Sequence, residues 1–227
     1  MLAKLKPMNE LELISNAINY INTNKKEFIK QFTEGIQPSK EKIAIFTAGM
    51  SGVGKTEFGQ FLKENDTNLL HIDTDDIRDF FKDIGYDGHN SHIFQKPASK
   101  GFSKLLDYAI KNNLSLILDS NLANLNKAVE NIERLLNKNY KIEVFYLYNE
   151  PSTCFKYTIK REVITNRKVP YDIFIQSDIN SYKTIIELKS LFQNKIVLNF
   201  IDKRDDTLHK NITINELKQK IGENFDS

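Results

Sequence analysis

The sequence predicts an α/β three-layer sandwich. It has about five strands in a mostly parallel sheet, helices on both faces and a helical N-terminal arm. Three observations carry this. Short apolar runs recur at 42–48 ("KIAIFTA"), 68–73 ("NLLHID"), 114–120 ("LSLILDS"), 141–148 ("KIEVFYLY") and 195–201 ("KIVLNFI"). They are nearly continuous rather than alternating, as in strands buried on both faces of a parallel sheet. Helical periodicities separate or border them, at 55–65, 98–113, 125–138, 151–164 and 178–192, and strand–helix repetition implies right-handed crossovers over a covered sheet. The third observation is a glycine-rich junction, "TAGMSGVGKTEFG", between the first run and the first periodicity.

The arm comes first along the chain. Leu11, Leu13, Ile14, Ala17, Ile18, Ile21, Phe28, Ile29 and Phe32 recur at three-to-four spacing across 8–35. "NTNKK" weakens the middle, so the pattern fits one helix or two short ones, and "GIQPSKEK" ends it with glycine and proline. The expected division is an arm over 1–41 and one α/β domain over 42–227, closed by a helix at 213–221. The chain's 227 residues suffice for one domain with a full core, at 40% hydrophobic and 27% charged residues. A net charge of +2 gives no charge-driven reason to bind nucleic acid or membrane. Neither partner is expected. The lone cysteine, Cys154, excludes an intramolecular disulfide and reads as packing. Lys4, Lys6, Pro7 and Glu10 interrupt the N-terminal apolar residues, leaving no signal-peptide core, so the expected location is cytoplasmic.

The junction fits G-x-x-x-x-G-K-[ST] over Gly49, Met50, Ser51, Gly52, Val53, Gly54, Lys55 and Thr56, between a strand and a helix. Its glycines let successive backbone N–H groups turn inward onto phosphate oxygens, beside the positive end of the next helix. Lys55 reaches the β- and γ-phosphates and Thr56 holds Mg²⁺. This marks a nucleotide-binding P-loop; with the acidic strand end and basic lid that follow along the chain, the expected fold is that of a P-loop NTPase of kinase type. The segments "NKAV", "NKNY" and "NKIV" lack the aspartate of a guanine-reading N-K-x-D, so ATP is the expected nucleotide.

"NLLHIDTDDIRDFF" puts Asp73, Asp75 and Asp76 at the end of the second strand, the edge where parallel sheets bind ligands. Transfer to a hydroxyl needs a carboxylate to accept its proton. Asp76 also suits a helix dipole, and Asp73 an N-cap or the metal's waters. Asp119, ending the third strand, reads as a Walker-B-like acid, a substrate contact or a cap. After the fourth strand, Lys156, Lys160, Arg161, Arg167 and Lys168 mark a lid over about 151–170 that breaks near Pro170 and brings arginines to the phosphates. His71, His89, His92 and His209 lack zinc spacing. "GYDGHNSHIFQKPASKGF" is the expected acceptor-binding loop.

Across 42–176, "GMSGVGKT", "IDTDDIR", "LILDSNL" and "IKREVITNRKVP" together resemble the zeta toxin family of P-loop kinases, the toxin half of epsilon–zeta toxin–antitoxin systems. The resemblance implies phosphorylation of the 3′-hydroxyl of the amino sugar in UDP-N-acetylglucosamine. It implies Asp75 as proton acceptor, Lys55 as the phosphate-binding lysine and Arg161 and Arg167 as the lid arginines. Better-known members carry Glu-Gly-Thr where this chain has Asp119-Ser120-Asn121; these positions face the acceptor, so Asp119 and Asn121 are the expected substrate contacts. A small helical epsilon-type antitoxin is the implied partner; residues 1–41 are expected to be too short for a separate three-helix inhibitor, and docking of that segment on the nucleotide site stays open. Two other readings stay open, a polynucleotide or other small-molecule kinase and a nucleotide-binding regulator without transfer chemistry.

Overall fold

Successive strand residues point to opposite faces of a sheet, and here both faces are buried. Ala44, Phe46, Leu116, Leu118 and Val144 enter a larger core, whereas Ile45, Ile117, Phe145 and Leu147 enter a smaller one on the other side. That double burial is why the strands read as unbroken apolar runs. The computed structural model describes residues 9–222; the N-terminal basic stretch with Lys4, Lys6 and Pro7 lies outside them, as do residues 223–227.

Among the described residues the chain runs α1 (Glu10–Thr23), α2 (Lys25–Thr33), β1 (Ile43–Ala48), α3 (Lys55–Asn65), β2 (Leu70–Asp73), α4 (Thr74–Asp79), α5 (Ser91–Asn112) and β3 (Leu116–Asp119). It continues through α6 (Leu125–Leu136), β4 (Lys141–Tyr148), α7 (Pro151–Thr165), α8 (Tyr171–Phe192), β5 (Ile196–Asp202), β6 (Thr207–His209) and α9 (Ile214–Ile221). The sheet order is β2-β3-β1-β4-β5-β6. Five strands are parallel, and β6 is antiparallel to β5. The sheet therefore has six strands rather than about five. β6 escapes the sequence pattern because it is a three-residue edge strand with no buried residue, paired through Phe200–His209 and Ile201–Leu208.

The N-terminal segment forms two helices. Asn9 caps α1 in a reciprocal pair with Glu12, and Asn24 stops it by turning its backbone and side-chain N–H groups onto Tyr20 O. Ala17, Ile21, Phe28 and Ile29 are buried in the larger core, where they meet α5 at Gly101. A Cβ there would fall 2.7 Å from Ile77 Cγ2 and 3.0 Å from Ile21 Cδ1. Only a residue without a side chain lets the helices approach so closely.

Two helices start earlier than their apolar periods. α5 begins at Ser91 and contains Pro97, whose buried ring takes the place of one helical hydrogen bond. α8 begins directly after Pro170, and Ser177, Asp178 and Ser181 break its apolar period while being buried. No described helix is long and apolar enough to cross a membrane.

Candidate active site

The loop after β1 is held open by backbone geometry. Gly49 has φ +128° and Gly52 φ +79°; a Cβ at either would lie 2.3 Å from a carbonyl oxygen, of Leu147 and Cys154 respectively. No other residue fits either position without moving that backbone. Met50 and Val53 point inward and anchor the loop in the smaller core. Ser181 of α8 accepts the Gly49 N–H at 3.0 Å. Lys55, at the start of α3, folds back to donate to Gly49 O (3.0 Å) and Met50 O (2.8 Å). Burial pulls its pKa down, opposed chiefly by Asp119.

The parallel register then lines up acids on adjacent strand ends, with Asp73 paired to Asp119. Asp73 is the N-cap of α4, accepting the Asp75 N–H at 2.8 Å. Its carboxyl is pushed up to about 7 by burial and then by the charges of Asp75 and Asp119. Asp119 accepts a hydrogen bond from Thr47 Oγ1 at 2.8 Å and lies 3.4 Å from His71 Nε2 without a hydrogen bond between them. Burial is the strongest single influence on Asp119, yet His71, Lys55 and Thr47 together hold its carboxyl below the usual range.

Asp75 stands in the first turn of α4 and collects arginines. Arg78 and Arg167 each donate to it, on Oδ1 and Oδ2, and Arg161 Nη1 lies 3.9 Å from Oδ2. The break between α7 and α8 falls at 166–170; it carries Arg167 back over the site, while Arg161 stays on α7.

Two cavities flank this cluster. One, of about 450 Å³, runs between α5 and α6, and Ser99, Phe102, Asn121, Lys127, Asn131 and Arg134 are among its walls. The other, of about 820 Å³, lies between the glycine loop, α7 and the β5–β6 turn, with Phe61, Tyr157, Ile164, Lys203 and Asp206 among its walls. Lys55, Thr56, Asp73, Asp75 and Arg161 border both. Of the other candidate residues, Asp119, Asn121 and Arg167 border the 450 Å³ cavity, and Gly52, Val53 and Gly54 the 820 Å³ one. Asn121 is in the 450 Å³ cavity but spends its Oδ1 on the Ala123 N–H at 3.2 Å, and the next residue, Leu122, has φ +52°, a conformation that is strained for a bulky side chain.

The donor set fits a nucleotide with one Mg²⁺. The Thr56 hydroxyl and the proton-hungry Asp73 lie beside a backbone cradle, and Mg²⁺ takes most of its ligands from phosphate and water. Among the described residues no group of three or more His, Cys, Asp or Glu side chains is arranged to hold a metal by itself.

Sequence reasoning missed several residues here. Arg78 was signalled only by its three-residue spacing from Asp75. Lys127, Asn131 and Arg134 share a helix face that reads as an ordinary solvated one. Asp178 had no signal. It is buried with Oδ1 unpartnered among the described residues, and burial pushes its carboxyl up to about 7 against the opposing charge of Lys55. Between its ordinary 3.8 and about 7, the folded protein keeps a proton that the unfolded chain has released, so stability falls as pH rises through that window. Asp178→Asn removes this contribution. Melting temperatures from pH 4.5 to 7.5 are expected to fall less steeply in the variant, and an unchanged slope would contradict the assignment.

The family model described as Zeta toxin matches residues 26–213, reaching beyond the 42–176 motif region to include α2, β5 and β6. A search of curated proteins finds no match. Among solved structures, the chain is similar to one from the PezAT chromosomal toxin-antitoxin system of the human pathogen Streptococcus pneumoniae, at 17% identity and TM-score 0.67, covering 92% of this chain and 86% of that one. A chain of the AvrRxo1-ORF1:-ORF2 structure with ATP aligns at 12% identity and TM-score 0.63, covering 92% and 71%. A kinase-described structure from Chloroflexus aurantiacus aligns at 12% identity and TM-score 0.50, covering 63% and 80%. At these identities the likeness is one of fold.

Proposed function

The chain belongs to the zeta toxin family, and from that premise we propose that it is an ATP-dependent phosphotransferase acting on a hydroxyl of a nucleotide sugar, as the toxin of a toxin–antitoxin module. The observation that supports this best is the meeting of two cavities at Lys55, Thr56, Asp73, Asp75 and Arg161. A regulator that only binds nucleotide needs the glycine cradle, but not a second cavity facing a carboxylate and its arginines.

In this reading the 820 Å³ cavity takes the nucleotide. Backbone N–H groups from Gly52 to Thr56 grip the phosphates, and Lys55 leaves the Gly49 and Met50 carbonyls for phosphate oxygens. Arg161 and Arg167 move from Asp75 onto the terminal phosphate. Asp75 Oδ2 is then free to accept the acceptor's hydroxyl proton. The hydroxyl oxygen bonds to the γ-phosphorus as the bond to the β–γ bridging oxygen breaks, and ADP departs. Thr56 and Asp73 would hold a magnesium ion, which would supply charge neutralisation on the phosphate oxygens.

The acceptor occupies the 450 Å³ cavity. Lys127 and Arg134 bring cations to the wall of that cavity, Arg134 paired with Asp107 and with Glu130 nearby; the diphosphate of a nucleotide sugar such as UDP-N-acetylglucosamine would draw on them, and Phe102 offers a ring for stacking. By family, the partner is a small helical antitoxin. Incubation with γ-labelled ATP, a panel of nucleotide sugars and a 5′-hydroxyl oligonucleotide tests the acceptor. Label is expected on a nucleotide sugar, and label on the oligonucleotide alone would overturn that choice.

A further inference from the structure

The carboxylate of Asp75 is held by arginines of two kinds. Arg161 and Arg167 are partly open to solvent, at 33% and 23% exposure, and both address Oδ2. Arg78 is 2% exposed and donates Nη1 to Oδ1. Its Nη2 donates to Gln95 Oε1 on α5, and its Nε is buried without a hydrogen-bond partner among the described residues. A guanidinium this deep loses much more by breaking its pair than a surface one does. Arg161 also has its Nε buried without a hydrogen-bond partner among the described residues, but its Nη1 stops 3.9 Å from Oδ2, and its side chain is far more open to solvent than that of Arg78. Arg78, doubly bonded and the most buried of the three, is therefore the fixed one, whereas the lid arginines are placed to leave.

We infer that Arg78 is the positioning residue for the base: it keeps Oδ1 of Asp75 engaged throughout turnover, so that Oδ2 alone, vacated by the lid arginines, meets the acceptor hydroxyl. This rests on the phosphotransferase reading and adds to it. A carboxylate held on one oxygen has a defined direction, and general-base transfer requires hydrogen-bond reach to the hydroxyl. The second anchor matters as much. Gln95 ties the guanidinium to α5, the helix that walls the acceptor cavity with Ser99, Phe102 and Ser103. The base is thereby referenced to the wall against which the acceptor lies, rather than to its own short helix alone.

Arg78→Met removes charge and fork. Arg78→Lys keeps the charge but cannot hold Asp75 and Gln95 together in planar geometry. Gln95→Ala changes an exposed side chain and releases only the second anchor. A misplaced reacting group loses roughly 10²-fold in rate, so Arg78→Met is expected to lower kcat by about that factor with the ATP dissociation constant and ATP KM unchanged. Arg78→Lys should recover part of the loss, and Gln95→Ala should lower kcat less than either. Melting temperature and ATP titration establish that each variant folds. If Arg78→Met does not fold, Arg78→Lys and Gln95→Ala carry the test through their reduced kcat at unchanged ATP affinity. Wild-type kcat in the folded Arg78 and Gln95 variants, with Asp75→Asn inactive, would overturn the inference and leave the phosphotransferase reading standing. Full activity in Asp75→Asn would reject both. A loss that appears only as a raised ATP KM would reassign Arg78 to nucleotide binding.

Discussion

Asp75→Asn is expected to lower phosphoryl transfer by roughly 10²–10⁴-fold, the usual contribution of a positioned general base, while ATP binding persists and tightens. The first half follows from chemistry. An amide of the same shape has no lone pair basic enough to take a hydroxyl proton. The second half follows from the geometry of this site. Arg161 and Arg167 rest against Asp75 Oδ2, so in the wild type a terminal phosphate competes with a carboxylate for them. Neutralising the carboxylate removes that competitor. Calorimetric titration with a non-hydrolysable ATP analogue therefore separates two views of Asp75. A base yields a slow enzyme with equal or tighter binding, and a residue serving only to hold the nucleotide's metal yields a slow enzyme with weaker binding.

Arg167→Ala is the second large effect, expected to slow transfer by roughly 10³-fold or more, as removal of a transition-state arginine does. Arg167 follows the end of α7, in the break before α8, and donates to Asp75. Its loss leaves the glycine cradle intact, so ATP affinity should change little while single-turnover transfer collapses. Arg167→Lys should restore little, because an ammonium cannot span two phosphate oxygens as a planar fork does. A tenfold or smaller decrease in Arg167→Ala would place the arginine at the surface and out of the reaction.

The residues that were legible in the sequence share a property: their chemistry is local. The glycine loop is readable because eight consecutive positions encode both its curl and its ligand. The strands are readable because Ile45 and Phe46 feed two different cores, which writes an unbroken apolar run. What stayed hidden depends on contacts distant in sequence. Arg78 looks like a surface helix residue until α5 closes over it with Gln95. The early start of α8 is concealed because Ser177, Asp178 and Ser181 are buried polar residues that interrupt the apolar period marking a helix; Ser181 is spent on the Gly49 N–H of the glycine loop and Ser177 on the Phe174 carbonyl of its own helix. β6 is invisible for another reason, being too short to show a period and held only by its pairing to β5.

In the proposed reaction one site accepts ATP on one side of Asp75 and a hydroxyl on the other. This is tested most directly by ³¹P NMR of the wild-type protein with Mg·ATP and a nucleotide sugar. Stoichiometric loss of the γ-phosphate signal with growth of a phosphomonoester resonance, scalar-coupled to a sugar ring proton, is the predicted result. Release of inorganic phosphate alone, or an unchanged ATP spectrum across the nucleotide-sugar panel, would contradict it.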